Sequence, residues 1–366
     1  MTVRIGVIGT GLIADLAHLP AYAASDAKLV AVCDVVAARS QAAAQKYGAE
    51  SFYQDYRELL DRNDIDAVSV CVPNHLHHSI TIDALRAGKH VLVEKPMAMN
   101  LAQAKEMANV ADEEGKILMV GFNNRFRSDV VRVRRLFDEG KLGDVYFAKV
   151  GYLRRRGYPS GWFTVKDESG GGPIVDIAIH VMDMTRYMVG SPLPVSVTAS
   201  VSKRFGACPV YSGVWQSSDV RDGLRDGNQF DVEDFGTAWI RFDNGMVMAV
   251  ETAWSANVER DRVYSDLMGT KAGASIDSYR SVHKKSQWSD DRDAVRLFTE
   301  TSGFEADAAL PCRPVDTHLE EIRHFLNVVE GKAEPITTPH DGLVMQALLD
   351  AIYESSKKGK EVSISW

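Results

Sequence analysis

Val3-Arg4-Ile5-Gly6-Val7-Ile8-Gly9-Thr10-Gly11-Leu12-Ile13-Ala14 joins an apolar run to two closely spaced glycines and the start of a second apolar pattern. The run predicts a buried strand, and the glycine pair with the second pattern predicts a tight turn into a helix. Gly9 permits the turn, Gly11 has no side chain to obstruct a phosphate, and Ala14 is small enough for the helix to pack on the strand. The first N–H groups of a helix have no partners within it, so such a turn aims free donors at an anion. The next apolar run, Leu29-Val30-Ala31-Val32-Cys33, ends on Asp34. A carboxylate there can accept hydrogen bonds from adenosine ribose hydroxyls and repels a 2′-phosphate. The stretch therefore implies a dinucleotide site that favours NAD, with Arg39 leaving NADP possible.

Outward from this turn, strand-like runs at 28–34, 66–72, 90–94 and 117–121 alternate with helix-like segments at 36–47, 56–62, 76–87 and 101–115. Several of the strands are apolar throughout, as expected of a parallel sheet covered on both faces. Residues 1–122 thus read as a doubly wound α/β unit. The texture changes over 123–366. Strands are predicted at 144–151, 194–201, 234–242, 246–253 and 264–269, with helices at 129–139, 174–188, 318–330 and 340–357. Asp243-Asn244-Gly245 supplies the turn of a hairpin. This second unit reads as an α+β domain built on an open, mainly antiparallel sheet. Its hairpin strands are apolar on both faces (Trp239, Ile240, Phe242, Met246, Val247, Met248, Val250), which predicts sheet-to-sheet pairing into a homodimer or homotetramer.

With 366 residues the chain has room for two domains of roughly 150 residues. Its net charge of −8 argues against nucleic acid as the main partner. No apolar run is long enough to span a bilayer, so no membrane partner is expected. Cys33, Cys71, Cys208 and Cys312 lack metal or redox spacing, and a reducing cytoplasm fits them.

Three constellations could carry chemistry. Val72-Pro73-Asn74-His75-Leu76-His77-His78 lies at a strand's carboxyl end, where ligands of open parallel sheets collect. No local acid or cysteine completes a metal set with these histidines, so cofactor contact or helix-start packing is expected there and metal is not. Glu94-Lys95-Pro96 ends another strand, placing a lysine beside the cleft, where burial can make it an acid/base group or a donor to substrate oxygen. Gly170-Gly171-Gly172-Pro173 precedes a helix on which Asp176, His180, Asp183 and Tyr187 share a stripe. A histidine tuned by a neighbouring carboxylate is a candidate general acid/base. The glycines before it are expected to let the backbone approach substrate closely.

These features, with Gly121-Phe122-Asn123-Asn124-Arg125-Phe126, resemble the glucose–fructose oxidoreductase/inositol dehydrogenase (Gfo/Idh/MocA) family over nearly the whole chain. The resemblance implies a Rossmann domain and a catalytic set of Lys95, Asp176 and His180. It further implies cofactor contacts from Gly11, Leu12, Ile13, Asp34, Pro73, Asn74, His77, Glu94, Lys95 and Asn123. Ala178 stands where many relatives carry glycine. The expected reaction is oxidation of a secondary hydroxyl on a small polyhydroxylated substrate, a sugar or cyclitol. The alternative on the same fold is NAD-dependent glycoside cleavage with an internally recycled cofactor. Trp162 can stack on a sugar face or cover the nicotinamide. Arg154-Arg155-Arg156 reads either as recognition of an acidic sugar or as a solvated strand edge.

Overall fold

Strand β1 (Arg4–Ile8) lies at the centre of a parallel sheet, with Ile5, Val7 and Ile8 almost wholly buried. The computed structural model describes residues 2–206, 229–280 and 294–365. With β2 (Lys28–Cys33), β3 (Ser51–Tyr53), β4 (Ala67–Val70), β5 (His90–Val93) and β6 (Leu118–Val120), the sheet runs in the order β3-β2-β1-β4-β5-β6. The chain reverses its direction of winding between β1 and β4, and a crevice opens there at the carboxyl ends of the strands. Helices Ala37–Tyr47, His77–Arg86 and Leu101–Glu113 link the strands. The last of these starts where the Asn100 side chain accepts from Gln103 N–H. The short β3 carries too few residues for a periodic signal and is not among the predicted strands.

Helix Thr317–Val329 packs Ile322, Phe325 and Leu326 into the same apolar cluster as Ile5 and Val7 of β1. Asp316 caps it by accepting from His318 and Leu319 N–H, which fixes the helix start at the mouth of the crevice.

The second sheet is built from β7 (Val145–Leu153), β8 (Pro194–Ser202), β9 (Phe235–Phe242), β10 (Val247–Ala253), β11 (Asp261–Gly269), β12 (Ala272–Arg280), β13 (Ala294–Thr301), β14 (Phe304–Glu305), β15 (Ala308–Pro311) and β16 (Val362–Ser363). Its order is β14-β13-β12-β11-β7-β10-β9-β8-β16, with β15 beside β13. The pairing is antiparallel except that β7 and β10 run parallel. The β9–β10 hairpin turns on Gly245, whose φ of 85° suits glycine, and Phe242 N–H donates to Met246 O. On one face, helices Ile179–Met188 and Pro339–Lys358 bury Val181, Met184, Leu348 and Ile352 against Val150, Val197, Ile240 and Met248. The other face leaves Trp239, Met268 and Phe298 exposed.

Behind the crevice four buried ionic side chains tie the second sheet's helices to the loop after β6. Arg125 donates to both Asp183 oxygens at 2.9 and 2.6 Å and to Asp341 at 3.0 Å, and Arg186 donates to Asp341 at 2.8 Å. Cys33, Cys71 and Cys312 are free and buried, whereas Cys208 lies outside the described residues. No described helix is long and apolar enough to cross a membrane.

Candidate active site

The residues expected to hold cofactor or carry out catalysis all line one cleft of about 1230 Å³ at the carboxyl ends of β1, β2, β4 and β5. At one end is the glycine turn. Gly9 has φ of 89°, and a Cβ there would sit 2.5 Å from the carbonyl oxygen of Cys71. Gly11 opens into a helix that begins at Leu12 and widens over Ala14–His18. Asp34 is fixed at the end of β2: one oxygen accepts from Thr10 N–H and hydroxyl at 3.0 and 3.1 Å, the other from Val36 N–H at 2.9 Å. Arg39 approaches the same carboxylate at 3.9 Å. A turn with glycine at both ends, a helix start beside it and an oriented carboxylate fit the pyrophosphate and ribose of NAD.

Pro73, Asn74 and His77 follow β4 along the cleft wall, and two of them also brace it. Asn74 donates its amide to Ser169 O at 2.8 Å, joining the first sheet to the loop before the Asp176 helix. The His77 ring lies 2.7 Å from Pro96 O and 2.9 Å from Val72 O, so it links the ends of β4 and β5. A neutral imidazole has a single N–H and donates to only one of these carbonyls. Burial lowers its pKa. His78 turns instead to Glu106.

Glu94 accepts from Lys95 N–H at 3.1 Å and lies 3.0 Å from His18 Nε2. Burial pushes its pKa up, but His18, with Lys95 and His318, outweighs that and holds it down to about 2. His18 in turn meets Ser69, which also contacts Tyr22.

Lys95 reaches across to the other sheet's helix. Its Nζ donates to Asp176 O at 2.6 Å and to Asp176 Oδ1 at 3.2 Å. Trp254, directly after β10, donates its indole N–H to Asp176 Oδ2 at 2.8 Å. The Arg154 guanidinium stands 3.9 Å from that oxygen and also donates to Gly157 O. Burial raises the Asp176 pKa, yet Lys95, Arg154 and Trp254 outweigh it and keep the group below its ordinary value. His180 lies one turn further along, and its Nδ1 is buried with no hydrogen-bond partner among the described residues. Burial, followed by the Lys95 charge, presses its pKa down to about 3 against the opposing pull of Asp176. The imidazole is therefore neutral over the working range of most enzymes.

The predicted stripe divides in depth. Asp176 and His180 face the cleft, while Asp183 passes behind it to Arg125 and Tyr187 lies under the Arg125 and Arg134 guanidinium groups. Asn123 lines the cleft and contacts Thr317 and His318 at 3.1 Å each. Trp162 stacks on Phe163 with ring centroids 3.8 Å apart, and both line the cleft. Of the three consecutive arginines only Arg154 reaches the cleft. Arg155 and Arg156 bind Glu259 O and Asn257 in the connection between β10 and β11. Trp254, Thr317, His318 and Arg127 complete the walls or support without having been expected there. Asp316, a helix cap, is the one local signal that could have drawn attention to Thr317 and His318.

Comparison with known proteins agrees with this arrangement. Residues 3–122 match the family model described as an oxidoreductase family with an NAD-binding Rossmann fold, and 130–275 match the GFO/IDH/MocA C-terminal domain. The chain is 35% identical to D-glucoside 3-dehydrogenase of Escherichia coli, covering 99% of this chain and 97% of that protein. It is 28% identical to inositol 2-dehydrogenase of Rhizobium meliloti, with 100% of each covered. A solved levoglucosan dehydrogenase in complex with NADH superposes with a TM-score of 0.84 at 25% identity, covering 100% of both chains. The glycine turn, the lysine–aspartate bridge and the open second sheet thus have one explanation: the chain belongs to the Gfo/Idh/MocA family of NAD-binding oxidoreductases.

Proposed function

We propose that this protein oxidises a secondary hydroxyl of a sugar, glycoside or cyclitol, with Lys95, Asp176 and His180 as its catalytic set. The observation that carries this reading is the convergence of these three side chains, from two different sheets' connections, in the same cleft as the dinucleotide turn. NAD, when bound, supplies the hydride acceptor. His180 takes the hydroxyl proton, a role for which its neutral imidazole is suited. Lys95 is a donor to the same oxygen as negative charge develops on it, since an ammonium has three hydrogens and two of them already serve Asp176. Asp176 holds that lysine and is itself held by Trp254. The stacked Trp162 and Phe163 offer an aromatic wall for the apolar face of a sugar ring.

Similarity to D-glucoside 3-dehydrogenase favours a glycoside over a free polyol. The exposed Trp239, Met268 and Phe298 support self-association through the second sheet, as a homodimer or homotetramer. The chain divides functionally at 1–122 and 123–366, and its free thiols suit the cytoplasm. The test is a panel of glucosides, aldoses and inositols incubated with NAD. NADH accumulation with a keto-sugar product is expected. Aglycone release without net NADH would replace the dehydrogenase with the hydrolase reading.

A further inference from the structure

The helix start that carries Asp176 and His180 is gripped from outside the cleft. Glu233, in the segment leading into β9, is buried, and its Oε1 accepts from Gly172 N–H at 2.9 Å, Ile174 N–H at 3.3 Å and the Tyr353 hydroxyl at 2.8 Å. Tyr353 comes from helix Pro339–Lys358. Pro173, at the start of the wide turn Ile174–Ala178, makes no side-chain cap of its own. A carboxylate 59 residues away in sequence from Ile174 therefore takes the place of the missing cap.

The glycine run has its physical reason here. A Cβ on Gly171 would lie 1.9 Å from the Tyr353 hydroxyl oxygen, and one on Gly172 would lie 2.0 Å from Glu233 O. The two glycines make room for Glu233 and Tyr353, not for substrate, and neither of those residues lines the cleft. The same segment packs Phe230 and Val232 against Trp254 and Ile177, so the residues flanking Glu233 share one apolar cluster with the indole that holds Asp176.

We infer that Glu233 and Tyr353 are positioning residues for proton transfer: their hydrogen bonds set where the helix begins, and so whether Asp176 reaches Lys95 and how His180 is presented to the cleft. This rests on the proton-transfer role proposed for His180. The Lys95–Asp176 O bond is 2.6 Å long, so a displacement of the helix start by about 1 Å breaks it, and misplacement of that size costs up to about a hundredfold in rate.

The test compares Glu233→Ala, Glu233→Gln and Tyr353→Phe by steady-state kinetics and by NMR of the His180 imidazole, assigned with His180→Asn. A glutamine keeps an acceptor oxygen in place. The inference predicts kcat lower by about tenfold or more in Glu233→Ala, an unchanged KM for NAD, a displaced His180 signal, and near-complete rescue in Glu233→Gln. Tyr353→Phe should shift the signal in the same direction by less, and it decides the matter if Glu233→Ala does not fold. Lowered stability with His180 and kcat unmoved in the folded variants would overturn the inference. The ring signal needs no turnover, so it still decides the positioning role if no sugar proves to be a substrate.

Discussion

Lys95 and Asp176 lie 81 positions apart, yet Lys95 Nζ donates to both the carbonyl and the carboxylate of Asp176, at 2.6 and 3.2 Å. The bond spans the two sheets, because Lys95 follows β5 while Asp176 opens the helix that covers the second sheet. Three groups hold that carboxylate: the ammonium, the Trp254 indole and the Arg154 guanidinium. Removing the indole donor leaves the lysine less well aimed. Trp254→Phe is expected to lower kcat by about tenfold while NAD affinity, measured by fluorescence titration, stays unchanged.

Cofactor choice rests on Asp34 with Arg39 at its shoulder. Taking away the carboxylate removes the repulsion that a 2′-phosphate would meet and leaves the guanidinium to attract it. In Asp34→Ser the ratio of kcat/KM for NADP over NAD should rise by about tenfold or more. An unchanged ratio would mean that another group selects the cofactor.

The Arg125, Asp183, Asp341 and Arg186 cluster is almost fully enclosed, so deleting one cation strands charge in the interior. Arg125→Met is expected to cost about 3 to 5 kcal/mol in urea unfolding. The conservative Arg125→Lys should also lose much of this, since lysine cannot make the two parallel bonds to Asp183.

His180 provides a pH test with a definite sign. Its folded-state pKa, about 3, lies below its ordinary 6.5, so the unfolded chain takes up the proton first. The stability it contributes is complete above about pH 6.5 and declines as pH falls from there toward 3. Between about pH 7 and about pH 5, wild type should lose about 2 kcal/mol more unfolding free energy than His180→Asn. Parallel stability curves for the two proteins would place His180 in an ordinary aqueous setting. His77 is also depressed by burial, but it titrates alike in both proteins and cancels.

The first sheet was legible because strands buried on both faces read as unbroken apolar runs, and because Gly9, Gly11 and Asp34 carry their chemistry locally. The β9–β10 hairpin was legible for a similar reason, since its turn needs a positive φ at Gly245. The parallel pairing of β7 with β10 left no trace in the sequence: their partners, such as Val150 and Val250, are 100 positions apart, and no local pattern encodes that register. Strand β13 is not among the predicted strands: only Val295 is buried in it, and Leu297 and Phe298, side by side among polar residues, break the alternation of a half-buried strand. Helical periodicity placed Asp183 with Asp176 and His180 but carries no information on depth, and the helix turns Asp183 toward Arg125. Trp254 joins the site only through long-range packing, which a single chain's pattern does not reveal.

The most direct check of the central claim is NADH formation by Lys95→Met and His180→Asn on a sugar that the wild type oxidises, with NAD binding measured alongside. Each variant should still bind NAD, and should form NADH at least about a hundredfold more slowly. Wild-type turnover by either variant would contradict the assignment of proton transfer to this pair.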